Sequence, residues 1–217
     1  MRPNEEKLWT GIILGEDLDK HMDNVGQAEI NAKFVKDLLK EFPLETNLLV
    51  EGCGTGQMFD YISPSELGKN LNFIFADITS SFLGKVKERL NKFPGTNYKI
   101  EVDDIENTKI KEEIEGILIV LVLQHVEWQK ALESMSTLEP KRFYIITQEQ
   151  PKELPIVTDV VKLPGTINRY AEMGQQILVK REELIEEMKN LGYRLLKDDK
   201  RTCPGSKIMA GFVFEKK

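Results

Sequence analysis

Short apolar segments alternate with amphipathic segments through most of the chain. The apolar segments predict five buried strands, which are Leu48–Val50, Leu71–Phe75, Tyr98–Val102, Ile117–Leu123 and Phe143–Ile146. Apolar residues at helical spacing predict helices over Glu29–Phe42, Phe82–Phe93 and Trp128–Leu138. Strands that are apolar on both faces and alternate with helices indicate a parallel sheet with helices on both sides.

The C-terminal part follows a different pattern. An apolar stripe predicts a helix over Arg181–Leu191, with Gly192 where glycine commonly follows the end of a helix. Two strand-like segments follow, Tyr193–Leu196 and Ile208–Phe214, without a helix between them, so they should pair antiparallel. The predicted fold class is therefore α/β, doubly wound. It has a mostly parallel seven-stranded sheet, a C-terminal antiparallel hairpin and helices on both faces.

One domain is predicted for residues 1–217. Residues 1–42 are interpreted as a helical N-terminal extension or lid. Residues 150–178 are interpreted as an insert between the fifth strand and the last helix, kept irregular by Pro151, Pro155 and Pro164. Loops of this length inside compact domains are usually functional or mobile, so a function for the insert is expected.

Composition and charge narrow the class of protein. Of the 217 residues, 41% are hydrophobic and 30% charged, as in an ordinary globular domain. The net charge of −6 disfavours nucleic acid as a partner, because nucleic-acid binding usually needs a basic face. No apolar run approaches the ~20 residues of a membrane span, and MRPNEEKLWT has no apolar signal region, so we expect a cytoplasmic protein without membrane contact. Cys53 and Cys203 form no disulfide framework or zinc spacing.

A glycine-rich turn follows the first strand in NLLVEGCGTGQMF. Gly52, Gly54 and Gly56 would leave backbone N–H groups open at the carboxyl edge of the sheet, where α/β sheets bind ligands. The spacing G-x-G-x-G differs from the dinucleotide fingerprint G-x-G-x-x-G, whose third glycine is replaced here by Gln57. Glu51, directly before the turn, would repel a pyrophosphate and attract a cation. The turn therefore predicts a ligand with a cationic group.

Acids also stand at the ends of the next two strands. Asp77 lies 21 residues after Gly56, where an acid can bind ribose hydroxyls, although it could instead cap the following helix. Asp103 and Asp104 end the third strand and are candidates for an adenine amino group or for solvated turn residues. Cys53, between two glycines, is interpreted as a small filler rather than a nucleophile.

Four motifs in this order, VEGCGTG, FADITSSFL, VDDIEN and LVLQHVEW, resemble those of the class I S-adenosylmethionine-dependent methyltransferases. The resemblance covers about Leu48 to Ile146, and the final hairpin fits it. TLEPKRF departs from the family in lacking the usual proline-glycine turn before strand five.

The resemblance implies S-adenosyl-L-methionine as the cofactor. Gly52, Gly54 and Gly56 would line its methionine and ribose portions, Glu51 would face its amino group, and Asp77 would hold its ribose hydroxyls. Asp104 and Ile105 would meet the adenine edge. The implied cofactor-binding set also contains Cys53, Ile78 and Leu123.

The acceptor side is less defined. Methyl transfer depends mainly on positioning and exclusion of water, and a base is needed only for a protonated nucleophile. His125, just past strand four, is a candidate general base or a residue that shapes the pocket. In the insert, where the family often builds substrate pockets, Tyr170 is a candidate apolar contact and Arg169 a candidate anion anchor.

The N-terminal segment offers two further candidates for substrate contact, Trp9 and His21, if Trp9–Met22 forms a lid. His21 with Asp17, Asp19 and Asp23 could also supply metal ligands. Solvated acids flanking a helix are the favoured interpretation, and no metal is predicted.

The favoured function is methyl transfer to a small molecule. The alternatives are a protein methyltransferase and a non-catalytic protein that binds S-adenosylmethionine. A nicotinamide-dependent oxidoreductase would share the sheet and Asp77, but the glycine spacing and Glu51 count against it. The sequence is compatible with a homodimer and does not determine the oligomeric state.

Overall fold

The computed structural model describes residues 3–149, 165–174, 176–204 and 207–217. Most of the predicted insert, residues 150–164 together with residue 175, lies outside the described residues. In the part of the chain that the structure describes, no helix is both long and apolar enough to cross a membrane.

Seven strands form one sheet in the order β3-β2-β1-β4-β5-β7-β6. The first five pair in parallel, and β7 pairs antiparallel with both β5 and β6. The strands are β1 Asn47–Glu51, β2 Asn72–Asp77, β3 Asn97–Val102, β4 Gly116–Val120, β5 Arg142–Glu149, β6 Tyr193–Thr202 and β7 Ile208–Lys216. The predicted fold class is confirmed: a mostly parallel seven-stranded sheet that ends in an antiparallel hairpin.

Eight α-helices lie in the described residues. They are α1 Pro3–Gly11, α2 Gly15–Asn24, α3 Gln27–Glu41, α4 Pro64–Leu67, α5 Ser80–Leu90, α6 Trp128–Ser136, α7 Ile167–Met173 and α8 Arg181–Asn190. Short 3-10 turns cover Gln57–Asp60 and Leu123–His125.

Alternate residues of the central strands enter two different cores. In β1, Leu48 and Val50 pack with α3 and α5, whereas Leu49 packs with α6 and α8 on the other face. Because side chains alternate along a strand, a run that is apolar at every position can be buried on both faces. This explains why the helices lie on both sides of the sheet.

A third apolar cluster joins the two N-terminal helices to α7. Leu8 of α1, Leu18 and Met22 of α2, and Ile167 and Tyr170 of α7 are buried together. We call α1, α2 and α7 the cap. Hydrogen bonds to Asp17 from the Thr166 backbone N–H and hydroxyl, both 2.7 Å, join α2 to the segment that leads into α7.

Several predicted boundaries were wrong. The fourth strand ends at Val120 rather than Leu123, because Leu121 has a left-handed backbone with φ of 59° and the chain then enters a 3-10 turn. Strand β6 extends to Thr202 rather than Leu196, past an irregularity between Leu195 and Lys197. Its second half is polar because it is the edge strand, so its sequence lacks the apolar signal of a buried strand.

Candidate functional site

The glycine turn after β1 is held in left-handed backbone conformations. Gly52, Gly54 and Gly56 have φ values of 63°, 57° and 71°, which side chains other than glycine rarely adopt. At Gly52 the constraint is also steric, because an added Cβ would lie 2.4 Å from Cγ2 of Val122. The Gly54 N–H donates to Oδ2 of Asp77 at 2.8 Å, so the turn is fixed to the end of β2.

Glu51 ends β1 as a buried carboxyl group. Its exposed fraction is 1%. Burial, together with the negative charges of Asp103 and Asp77, raises the pKa of Glu51 well above its usual range. Oε2 of Glu51 has no hydrogen-bond partner among the described residues. Its position therefore favours either a proton or a cationic partner.

The acids after β2 and β3 bind backbone N–H groups. Asp77 accepts from Thr79 at 2.8 Å as well as from Gly54. Burial raises the pKa of Asp77, and these two hydrogen bonds oppose the effect. Asp103 accepts from the Lys109 N–H at 2.7 Å through Oδ1, while its Oδ2 is buried with no partner in the described chain. Asp104 accepts from the Glu106 N–H at 2.9 Å.

A cavity of about 200 Å³ opens at the carboxyl edge of the sheet, beneath the cap. Twelve of the predicted site residues line it: Trp9, His21, Glu51, Gly52, Cys53, Gly54, Asp77, Ile78, Asp104, Ile105, His125 and Tyr170. The structure thus brings the candidate cofactor residues and most of the candidate substrate residues to one cavity.

Three predicted site residues lie elsewhere. Gly56 packs against α5, where an added Cβ would lie 3.2 Å from Val86. Leu123 is buried in the core formed with α6. Arg169 is exposed and pairs with Glu172 at 3.0 Å, because the outward face of α7 carries it away from the cavity. The role of anion anchor that the sequence suggested for Arg169 stays a prediction.

His125 lies in a polar and aromatic cluster under the cap. Its Nδ1 is 2.9 Å from the hydroxyl of Tyr170 and 3.3 Å from Oε2 of Glu5. Trp9 donates from Nε1 to the same Glu5 oxygen at 3.1 Å, and its ring centroid is 5.0 Å from that of His125. Glu5 was missed in the sequence because only the folded cap brings α1 to the end of β4.

A second polar group lines the opposite part of the cavity. Lys207 and His21 both face it, together with the side-chain amides of Gln27, Asn31 and Gln148. Burial lowers the pKa of Lys207 to about 8. Burial, and to a lesser extent the charge of Lys207, lowers the pKa of His21 to about 4. The sequence signal for Gln27 and Asn31 was present, since both interrupt the apolar stripe of α3.

The acids near His21 bind other groups. Asp17 accepts from Thr166, Asp19 accepts from Thr55 and from Arg89, and Asp23 accepts from the Tyr61 hydroxyl at 2.9 Å. Arg89 also donates to the Thr55 carbonyl at 2.8 Å. These acids therefore fix α2 to the glycine turn and to α7.

Comparisons with solved structures identify the fold. Magnesium protoporphyrin IX methyltransferase from Synechocystis PCC 6803, crystallised with SAM, superposes with a TM-score of 0.65 at 12% identity, over 99% of this chain and 90% of that chain. A SAM-dependent methyltransferase from Aquifex aeolicus gives a TM-score of 0.60 at 16% identity, over 89% of this chain and 96% of that chain. The [4+2]-cyclase SpnF gives a TM-score of 0.63 at 10% identity, over 85% of this chain and 81% of that chain.

No protein-family model and no curated protein matches the chain. The structural similarity at these identities establishes the architecture, and a fold alone does not fix the reaction. The seven-stranded mixed sheet of this chain, with its C-terminal antiparallel hairpin, matches the methyltransferase fold. The chain has the fold of the class I S-adenosylmethionine-dependent methyltransferases.

Proposed function

We propose that the chain is an S-adenosylmethionine-dependent methyltransferase with a small-molecule acceptor. The observation that carries the proposal is the buried carboxyl pair beside the glycine turn. Oε2 of Glu51 and Oδ2 of Asp103 are buried without partners in the described residues. Buried charges need pairing, and a ligand that brings a positive charge would supply it.

The residues present fit S-adenosylmethionine. Glu51 would pair with its ammonium group. Asp77, whose two oxygens offer about four acceptor positions and already accept two N–H bonds, would accept from the ribose hydroxyls. Asp104 and Ile105 would meet the adenine. The cofactor would supply an electrophilic methyl group on a sulfonium, and the chain would bind and orient it.

His125 is the candidate for handling the acceptor proton. The Glu5 carboxylate, 3.3 Å from Nδ1, favours the tautomer with its proton on Nδ1. Nε2 then carries the lone pair and can accept a proton from the acceptor. A pocket-shaping role is the alternative, and the variant His125→Ala tests whether His125 takes part in the mechanism. Loss of a base should lower turnover roughly 10²- to 10⁴-fold with little change in cofactor affinity, and unchanged turnover would remove His125 from the mechanism.

The cap supports a small acceptor. Trp9 and Tyr170 lie 5.5 Å apart between ring centroids and both line the cavity. A peptide substrate needs an open groove, so a protein methyltransferase would require displacement of these rings. Limited proteolysis in saturating cofactor would detect such opening.

The test is calorimetric titration of the full chain with S-adenosylmethionine. The wild type should show saturable binding, and Glu51→Gln should weaken it by roughly tenfold or more because it removes the charge and keeps the shape. Asp77→Ala should also weaken it. Glu172→Gln, which neutralises an exposed acid on α7, is the matched control and should bind as the wild type does.

NADH is the second titrant. Binding of NADH without S-adenosylmethionine would replace the proposal by the oxidoreductase alternative. Binding of S-adenosylmethionine without methyl transfer to any acceptor would favour the non-catalytic alternative. A folded wild type that binds neither compound would refute the cofactor assignment.

A further inference from the structure

The buried stripe of α3 changes character along the helix. Toward its C-terminal end it is apolar, with Phe34, Val35 and Leu38 packed on the sheet. One and two turns earlier the same face carries Asn31 and Gln27, both buried. An amide in a buried stripe requires a hydrogen-bonding partner. The change occurs where the helix passes the carboxyl edge of the sheet and reaches the cavity.

The facing wall of the cavity is also polar. Gln148 lies near the end of β5, and Lys207 directly precedes β7. In the antiparallel register Glu149 lies opposite Ile208, which brings these two residues to the same end of the β5–β7 pair. The Gln27 side chain donates from Nε2 to Oε1 of Gln148 at 3.3 Å, so the helix and the sheet meet through their amides.

The two ends of the cavity differ in charge. Glu51, Asp77 and Asp104 lie at the ends of β1, β2 and β3, or just beyond them, on one half of the sheet. Lys207 lies on the other half and has an exposed fraction of 6%. Among the described residues that line the cavity it is the one lysine or arginine. The pKa of Lys207, about 8, keeps it mostly charged at neutral pH, whereas that of His21, about 4, leaves the imidazole neutral.

Asn31 supplies a second, independent observation. Its exposed fraction is 2%, it lines the cavity, and its Oδ1 has no hydrogen-bond partner in the described ranges. A side-chain amide can present its oxygen or its nitrogen by rotation. Asn31 is therefore suited to a polar group of a ligand that reaches this end of the cavity.

We propose that the acceptor is a small molecule with a carboxylate group, which binds Lys207 while the amides of Asn31 and Gln27 hold its neighbouring polar atoms. This assignment rests on the proposed methyltransferase function. A lysine ammonium binds a carboxylate through a charge-assisted hydrogen bond. A phosphate monoester carries about −1.5 to −2 charges and would bring more negative charge into a cavity whose lining already contains Glu51, Asp77 and Asp104.

The strand order also orients this acceptor. Strand β4 lies between the half of the sheet with the glycine turn and the half with β5 and β7. An acceptor that extends from Lys207 toward the glycine turn passes the end of β4, where His125 lies. The atom that receives the methyl group would then lie at the end of the acceptor remote from its carboxylate.

The test uses matched pairs of an acid and its primary amide, such as 4-hydroxybenzoate with 4-hydroxybenzamide and sarcosine with sarcosinamide. The readouts are methyl transfer from labelled S-adenosylmethionine and the melting temperature of the full chain saturated with S-adenosylhomocysteine. Acids should exceed their amides in kcat/KM or in affinity by roughly 10- to 100-fold, the range for a hydrogen bond to a charged group. The ratio should fall toward one in Lys207→Met.

Two variants control this test. Lys207→Arg should keep the preference for acids. Lys200→Met, which removes an exposed lysine on β6 that pairs with Glu149 of β5, should leave the preference unchanged. The carboxylate assignment would be overturned if the chain binds S-adenosylmethionine but shows no preference for acids, or if the preference survives in Lys207→Met. Either result would leave the methyltransferase function unaffected. Failure of S-adenosylmethionine itself to bind would instead overturn the function.

Discussion

Two buried glutamates lie at opposite ends of neighbouring central strands. Glu51 is at the carboxyl end of β1, and Glu115 directly precedes β4 at the amino end. Oε2 of Glu115 accepts from the N–H groups of Glu45 and Thr46, at 2.6 and 2.7 Å, and Oε1 accepts from Lys141 at 3.0 Å. Burial raises the pKa of Glu115, but these hydrogen bonds outweigh it and hold the pKa at about 2.

The pKa of Glu51 is shifted in the opposite direction. Its neighbours include two further acids, and burial raises its pKa. The carboxylate at the amino end of the sheet therefore has its hydrogen-bond partners within the chain, whereas Oε2 of Glu51 at the carboxyl end has none among the described residues. The hydrogen bonds of Glu115 stabilise the fold. The buried carboxyl group of Glu51 instead favours the binding of a ligand with a positive charge.

The largest expected effect is a loss of stability on substitution of a glycine in the turn at the carboxyl edge of the sheet. Gly52→Ala should lower the free energy of unfolding by about 2 to 5 kcal/mol, because the added Cβ combines a left-handed backbone with a contact to Val122. Urea unfolding measures this loss. Gly84→Ala, in α5 with open space around the position, should instead stabilise the chain by about 0.5 to 1 kcal/mol. Equal midpoints for Gly52→Ala and the wild type would contradict the steric argument.

The next largest expected effect is a loss of stability on substitution of Glu115 at the amino end of the sheet. Glu115→Gln should cost about 2 to 3 kcal/mol at pH 7, since it weakens charge-assisted hydrogen bonds. A folded-state pKa of about 2, below the usual 4.5, means that this stability is present above about pH 4.5 and is lost as the pH falls toward 2. The difference in unfolding free energy between wild type and variant should narrow over that window. Glu133→Gln, on the exposed face of α6, should show neither the loss nor the narrowing.

The smallest expected effect is a gain in stability, on substitution of Glu51. In the absence of ligand, Glu51→Gln should stabilise the chain at pH 8 by about 1 kcal/mol, because glutamine has no carboxyl group whose ionisation the buried site disfavours. A raised folded-state pKa means that the stability of the wild type falls as the pH rises above about 4.5, and the variant should lose this slope. Urea unfolding at pH 5 and pH 8 measures both. A variant less stable than the wild type at pH 8 would show that Glu51 is satisfied within the chain and would break the contrast with Glu115.

The sequence predicts the glycine turn and the end of β2 better than it predicts the positions of Leu123 and Arg169. The residues at the glycine turn and at the end of β2 could be found from the sequence, because each follows directly from a strand and the turn after it. Leu123 lies in the core beside α6 rather than at the cavity, since the left-handed backbone at Leu121 ends β4 early and turns the chain. The sequence could not show that Arg169 lies on the exposed face of α7, because only the packing of a helix decides which of its faces is buried.

The sequence by itself determined the α/β order of the elements, the parallel sheet with its terminal hairpin, and the acids that follow the first three strands. These depend on local periodicity and on backbone conformations that only glycine adopts readily. The tertiary structure alone decided the acceptor side. There Glu5 meets His125 across 120 positions and Gln27 meets Gln148 across 121, because the carboxyl edge of the sheet is where segments distant in the chain come together.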